Sequence, residues 1–551
     1  MTNELNLDEL KQAVSDWIAD DPDSEDREEL DSLLKQWPDS ADDLADRFSG
    51  RLTFGTAGLR GRLRAGPNGM NLAVVSTAAA GLADWLNENE AQGPVVIGYD
   101  ARYGSEKFAQ QSARIIQGSG RYAYLMPHTV PTPLLAWAVN ELNAVAGVMV
   151  TASHNPPQDN GYKVYLGEQL GGKRGAAAQI APPADRDIEA AIQRVGSLAD
   201  LPVDEFYTTL PLSITAGYID AVSAIVDPKS PKDLSVVATP MHGVGGSTLV
   251  EAIYQAGFDE PTLVPSQAEP DPDFSTVSFP NPEEPGAMDR LLDLARERKA
   301  DVAVALDPDA DRCAVAAPTA TGEWRALTGN EVGVLLADHL MHQGRSGTYV
   351  TTIVSTTQLE RMCRDNEVPY AESLTGFKWI ARAADDLAFG FEEALGYCVA
   401  PTVARDKDGI AAALSVCEIA GELRSQDKTV FDRLDELAER HGVYATGQVS
   451  VRVDETAEIT AIMERLRAER PETLLSEPVV DYVDLAPETD VVTVKTDSVR
   501  LVVRPSGTEP KLKAYLEVRL DAAGDVTAAR RQASDRLEQL RTEVRSTLGI
   551  N

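Results

Sequence analysis

No apolar run in this 551-residue chain approaches the roughly 18 to 20 residues that a membrane-spanning helix needs. The opening stretch, Met1 to Asp8, is polar and acidic and lacks the hydrophobic centre of a secretion signal. Cysteine is scarce. Cys313, Cys363, Cys398 and Cys417 are too few for a disulfide scaffold and have no metal-ligand spacing. They fit reduced thiols, so a cytoplasmic location is expected. Positive charge is also short: the formal net charge of −36 argues against nucleic acid and anionic membrane as partners. Lysine supplies only 14 of the 51 basic residues and arginine the other 37. An anionic substrate therefore requires basic side chains gathered in one cleft against the overall field. No Walker loop, serine-hydrolase elbow or dinucleotide glycine fingerprint stands in its expected context.

What is present describes a folded multidomain protein. Hydrophobic residues at 43% and charged residues at 25% are ordinary for one, and the length predicts roughly three to five domains. Residues 6–48 carry Leu10, Val14, Trp17 and Ile18, then Leu30, Leu33, Leu34 and Trp37, at helical spacing, which predicts a helical extension packed on the first domain. Strand-then-helix patterns recur at Val95–Asp100, Val145–Val150, Val236–Ala238, Asp301–Leu306 and Tyr349–Val354. The last hundred residues change character, with strands expected near 446–453, 491–504 and 511–520 and helices near 457–469 and 526–547.

Chemistry concentrates where strands end, the edge at which open α/β sheets bind ligands. Val145–Val150 breaks into Thr151-Ala-Ser-His-Asn-Pro-Pro157, and Lys163 follows shortly. A serine after a strand is ordinarily a turn or cap residue; its company elsewhere in the chain gives Ser153 more weight. The strand Asp301–Leu306 ends in Asp307-Pro-Asp-Ala-Asp-Arg312. Three aspartates at alternate positions suit a hard cation such as Mg²⁺. An EF-hand loop would need Gly and Glu where Arg312 and Pro318 stand. Arg504, Ser506, Gly507 and Thr508 offer a guanidinium, two hydroxyls and open backbone amides, a set suited to a phosphate dianion. Glu392 and Glu393 close an apolar stretch as acceptors for sugar hydroxyls, or as a plain charged strand end. Together these stretches describe phosphoryl transfer on a phosphorylated polyol.

The set resembles the α-D-phosphohexomutase superfamily across nearly the whole chain. Thr151–Pro156 is similar to its phosphoserine loop, Asp307–Arg312 to its metal loop and Arg504–Pro510 to its phosphate loop. The Phe391-Glu-Glu-Ala394 sugar loop, followed by Arg405-Asp-Lys-Asp-Gly409, resembles the phosphoglucomutase-2/phosphopentomutase branch. Many relatives carry a serine hydroxyl where this chain has Ala394. The resemblance implies an α/β fold of four domains round a central cleft, three related α/β domains with mixed sheets and a smaller C-terminal α+β domain. The expected divisions are 1–50, 51–214, 215–322, 323–443 and 444–551.

It further implies a mutase interconverting sugar 1-phosphate and 6-phosphate, glucose first, with mannose or pentose phosphates, a bisphosphate synthase and a phosphatase as alternatives. Phospho-Ser153 donates its phosphoryl group, and Mg²⁺ bridges it to Asp307, Asp309 and Asp311. Lys163 is the implied acid/base, assisted by Arg60 and with His154 in the catalytic set. Arg312, Lys378, Glu392, Ala394, Arg504, Ser506, Gly507 and Thr508 contact substrate. Glucose 1,6-bisphosphate is the implied activator, sugar phosphates are the partners, and a monomer or small homo-oligomer is expected. An acid/base lysine needs a depressed pKa, which neighbouring Arg60 and Arg312 and closure of the cleft would provide.

Overall fold

Val95–Tyr99 and Ala146–Val150 contain no charged residue, and every position in both strands is buried. Alternate residues serve different cores, as the two-residue strand period requires. Val95, Ile97, Val148 and Val150 face one layer, packed on the helices Leu72–Glu88 and Ser105–Gly118, whereas Val96 and Met149 face another that contains the helix Thr132–Glu141. The computed structural model describes residues 7–55, 58–453, 456–506, 511–522 and 524–549. Within them the chain forms four α/β domains.

The first domain is built on a seven-stranded mixed sheet. Its parallel centre is flanked by the antiparallel strand Asp159–Leu166, which in turn pairs with Leu59–Arg62. The five-stranded second sheet sets Val302–Leu306 between a parallel and an antiparallel neighbour. In the four-stranded third sheet, Thr348–Thr352 runs parallel to Leu387–Glu392, and Gly396–Cys398 returns antiparallel. The fourth sheet is five-stranded and antiparallel, with the helices Thr456–Ala468 and Val526–Leu548 sharing its core.

One difference from the sequence reading lies here. The expected strand at 491–504 is two strands, Val492–Lys495 and Val499–Pro505. Thr496 turns the chain: its hydroxyl accepts from the Ser498 and Val499 amides, and its own N–H donates to the Val499 carbonyl at 2.9 Å. An apolar run of this length hides a hairpin when its turn is short and polar.

The extension forms three helices, Leu7–Asp20, Ser24–Lys35 and Ala41–Arg47, closed round Leu10, Val14, Leu30 and Leu44. Polar ties to the first domain include Asp20, which accepts from the Leu198 amide at 2.9 Å, and Arg47, which donates to the Ala65 carbonyl at 3.2 Å. Between the second and third domains runs Gly409–Arg424, buried nearly throughout, as a helix apolar on all sides must be. Its side chains belong to one core continuous through both domains.

Candidate active site

Four loops leave the C-terminal ends of strands, and among the described residues three of them place a non-glycine residue in the left-handed region: Ser153 (φ 53°), Ala310 (φ 56°) and Leu395 (φ 63°). Such backbone costs about 1–3 kcal/mol per residue and persists only where the surroundings enforce it.

Ser153 is almost fully buried. Its N–H donates to the Thr151 hydroxyl at 2.9 Å, and its own Oγ donates to Asp307 Oδ2 at 2.9 Å. The His154 Nδ1 lies 3.2 Å from that Oγ. Burial, then the Arg312 and Arg60 charges, hold the His154 pKa well below its ordinary value, so the ring is neutral. Sheet register explains how Lys163 and Arg60 arrive. Lys163 pairs with Met149 beside the serine's own strand, and Arg60 pairs with Gly161 one strand further out, two residues from Lys163. Arg60 Nη1 donates to Asn155 Oδ1 at 3.1 Å within the serine loop.

Asp307, Asp309 and Asp311 turn carboxylate oxygens to within 4.8 Å of one another, all buried. Burial and then the Asp309 and Asp311 charges raise the Asp307 pKa well above the usual range. Lys163 Nζ donates to Asp309 Oδ2 at 2.7 Å and to Asp311 Oδ2 at 3.1 Å. Here the sequence reading is corrected. Burial favours neutral Lys163, but the Asp309 and Asp311 charges outweigh it and raise the pKa rather than lowering it. The second oxygens, Asp309 Oδ1 and Asp311 Oδ1, are buried with no hydrogen-bond partner. Orphaned carboxylate oxygens beside a third carboxylate are the donor set of a hard divalent cation, so these residues fit Mg²⁺.

Two neighbours of this cluster were not singled out from sequence as site residues. Thr132, opening the helix Thr132–Glu141 of the first domain, donates its hydroxyl to Asp309 Oδ2 at 2.6 Å and its N–H to the Asp309 carbonyl at 2.9 Å. Lys407 reaches Asp311 at 3.2 Å and Glu392 at 3.8 Å, joining the Asp307–Arg312 loop to the Phe391–Ala394 loop. A bridge between Arg312 and Gly396 joins the same two loops through the backbone. The Lys407 signal was legible as the basic residue of Arg405-Asp-Lys-Asp-Gly409; the Thr132 link depends on a contact across domains.

Arg312 lies 3.9 Å from both Asp307 and Asp311 and 3.5 Å from Glu283, a further residue that the sequence reading passed over. Burial raises the Glu392 pKa, against the pull of Lys407 and Arg312. Glu393 Oε2 accepts from the Ser355 hydroxyl at 2.8 Å, next to Ala394. Lys378 stands apart: its buried Nζ has no hydrogen-bond partner, sits 5.2 Å over the Trp379 ring, and feels Asp185 and Arg382. Arg504 meets the hydroxyl of Tyr515, which the Glu393 and Glu392 charges also reach. The Ser506 N–H donates to the Lys511 carbonyl at 2.7 Å. Gly507 and Thr508 lie outside the described residues. Arg500 ties that domain down by donating to the Ser355 carbonyl, and Glu517 accepts from the Thr357 N–H at 2.9 Å.

Models of phosphoglucomutase/phosphomannomutase α/β/α domains I, II and III match residues 51–197, 216–322 and 328–441, and the C-terminal domain model matches 449–531. A Haemophilus influenzae protein named "Probable phosphomannomutase" is 44% identical over 460 residues, 82% of this chain and 93% of its own. This chain belongs to the phosphoglucomutase/phosphomannomutase family. Its family membership extends to the phosphoglucomutase of Staphylococcus aureus (strain MRSA252), 33% identical over 534 residues, covering 90% of this chain and 95% of that one. The fold is shared with a solved phosphoglucomutase/phosphomannomutase family protein from Burkholderia thailandensis, at a TM-score of 0.67 and 18% identity over 88% of this chain and 97% of that chain.

The close fit of the metal loop yields a test. Gly409 opens the central helix, and a Cβ there would lie 2.3 Å from the Arg312 carbonyl and 2.8 Å from that of Ala310. Gly409→Ala is expected to push the loop outward. Overpacking of about 1–3 kcal/mol outweighs a helix-propensity gain of at most about 1 kcal/mol. A lower melting midpoint and weaker Mg²⁺ binding by calorimetry are expected; unchanged values for both would refute the tight seating of the loop.

Proposed function

We propose that this family member is a phospho-sugar mutase that interconverts sugar 1-phosphate and 6-phosphate, with glucose as its first substrate, through a phosphorylated Ser153 and a bisphosphorylated sugar. The observation that carries the reading is Ser153 Oγ, left-handed in backbone and 2.9 Å from Asp307, at the edge of three buried carboxylates.

Asp307, Asp309 and Asp311 would hold Mg²⁺, which when bound supplies positive charge to offset that of the transferring phosphoryl group. Ser153 serves as phosphoryl carrier. A sugar oxygen forms its bond to phosphorus as the Ser153 Oγ–phosphorus bond breaks, and the sugar hydroxyl's proton passes to a base of the site. Reversing the step at the sugar's other phosphate returns the phosphoryl group to Ser153 and leaves the isomer. Lys163, with Arg60 and His154 nearby, is the proposed group for the proton. Its pairing with Asp309 and Asp311 means that it takes up this role only when those oxygens are otherwise engaged. Arg312, Lys378, Glu392, the Ala394 loop and Arg504 with Ser506, Gly507 and Thr508 are the proposed substrate contacts. Glucose 1,6-bisphosphate is the proposed activator, because it loads Ser153 directly.

Similarity to proteins named phosphomannomutase and phosphoglucomutase supports the reaction class and leaves two hexoses in play. The test is a coupled assay with Mg²⁺ and a trace of glucose 1,6-bisphosphate, comparing glucose 1-phosphate, mannose 1-phosphate and ribose 1-phosphate while recording inorganic phosphate. Preference for glucose with no phosphate release is expected. Faster ribose turnover would make Ala394 the specificity determinant, and stoichiometric phosphate release would replace the mutase with a phosphatase.

A further inference from the structure

The guanidinium of Arg102 lies under the serine loop and is almost completely buried. It donates four hydrogen bonds, all to main-chain carbonyls of that loop and its exit: Nη2 to Ser153 and Asn155, both at 2.6 Å, and Nη1 to Pro156 at 2.8 Å and Asp159 at 3.1 Å. Its Nε faces Asp100 at 3.3 Å in a buried ion pair, and Asp100 is itself fixed by the Ser105 hydroxyl at 2.6 Å. One face of the guanidinium is covered from another domain, by the Phe274 ring at 4.9 Å. Phe274 belongs to a loop of the second domain that Asp271 fastens by accepting from the Ser275 hydroxyl at 2.6 Å.

We propose that Arg102 is the positioning residue of the reaction, fixing the Ser153 loop so that Oγ faces the metal carboxylates, with Phe274 as its cover from the metal-binding domain. This rests on Ser153 being the phosphoryl carrier. The geometry gives the reason. Ser153 occupies a left-handed conformation that an L residue adopts only under constraint. The Ser153 carbonyl is one of the four that the guanidinium holds, so the peptide orientation that aims Oγ at Asp307 is set from below by Arg102. A planar fork with several fixed donors spans paired carbonyls in a way that a point-like ammonium does not. Phe274 desolvates the fork and stacks on its face, which ties the serine loop to the domain that carries Asp307.

The test compares Arg102→Lys, Phe274→Ala and Ser153→Ala with the wild-type chain, each with Mg²⁺ and glucose 1,6-bisphosphate. Readouts are kcat and KM for glucose 1-phosphate, the melting midpoint, and the fraction of Ser153 phosphorylated by bisphosphate alone, measured by intact mass. A displacement near 1 Å at a reacting atom costs about 100-fold in rate. Arg102→Lys is expected to lose about that in kcat with KM and melting midpoint close to wild type, and to load phosphate on Ser153 more slowly. Phe274→Ala, which leaves the loop's hydrogen bonds in place, is expected to lose about tenfold, the scale of one desolvated cation–π contact. Wild-type kcat and loading in Arg102→Lys would overturn the proposal. So would losses that follow the melting midpoint alone. Should Arg102→Lys not fold, an unchanged kcat in Phe274→Ala overturns it. Full activity in Ser153→Ala would instead remove the carrier reading on which it rests.

Discussion

Ser153→Ala is expected to lose roughly 10⁴-fold or more in turnover, the scale on which removing a covalent nucleophile acts. Among the described residues, the threonine hydroxyls beside it are committed elsewhere. The Thr151 hydroxyl is engaged by the Ser153 amide, and the Thr132 hydroxyl is spent on Asp309. The substitution removes one oxygen and leaves the four carbonyl bonds of Arg102 in place, so the loop keeps its shape. Binding of glucose 1-phosphate, measured by calorimetry, is therefore expected to stay within a few-fold of wild type, since none of the proposed phosphate and sugar contacts is altered. Retention of a tenth or more of the wild-type rate would mean that another atom carries the phosphoryl group.

Removal of the divalent cation is the second large effect. Three buried carboxylates within 4.8 Å repel one another, and the nearby charges of Lys163, Lys407 and Arg312 offset that repulsion in part. Chelation is expected to lower turnover by about 10³-fold, with recovery on adding Mg²⁺. It should also lower the melting midpoint, because saturation at about 100 times Kd stabilises the folded state by about 2.7 kcal/mol. Asp309→Asn keeps the side chain's volume and its contact to Thr132 but removes a charge. Its loss of Mg²⁺ affinity should exceed the 10–100-fold typical of groups that only support a ligand. A variant with wild-type affinity would place the cation elsewhere.

Much of this site was legible from single stretches. Ser153 and the three aspartates follow apolar strands closely, Arg504 stands near the end of one, and local pattern is enough to find a strand's end. The expected loops lie where the strands Ala146–Val150, Val302–Leu306, Leu387–Glu392 and Val499–Pro505 finish. Contacts made across domains were not legible in the same way. Thr132 sits 177 residues from Asp309, and nothing in its own stretch points to a carboxylate. Arg102 comes soon after the strand Val95–Tyr99, yet its hydrogen bonds go to carbonyls, which leave no mark in a sequence. The pKa of Lys163 was misjudged for a related reason. The cationic neighbours Arg60 and Arg312 were counted, whereas the two aspartates that the fold presses against the ammonium decide its direction. Lys378 is expected among the substrate contacts by resemblance alone, and the charges that its ammonium feels are those of Asp185 and Arg382.

The central claim is that phosphate passes through Ser153, and isotopic label follows it most directly. Glucose 1-phosphate labelled at phosphorus is mixed with the Mg²⁺-loaded protein and unlabelled glucose 1,6-bisphosphate, then quenched during turnover and digested. Label is predicted on the peptide that contains Ser153, in the bisphosphate pool and in glucose 6-phosphate, with none in inorganic phosphate. Labelled glucose 6-phosphate formed without label on Ser153, or label accumulating as inorganic phosphate, would contradict it.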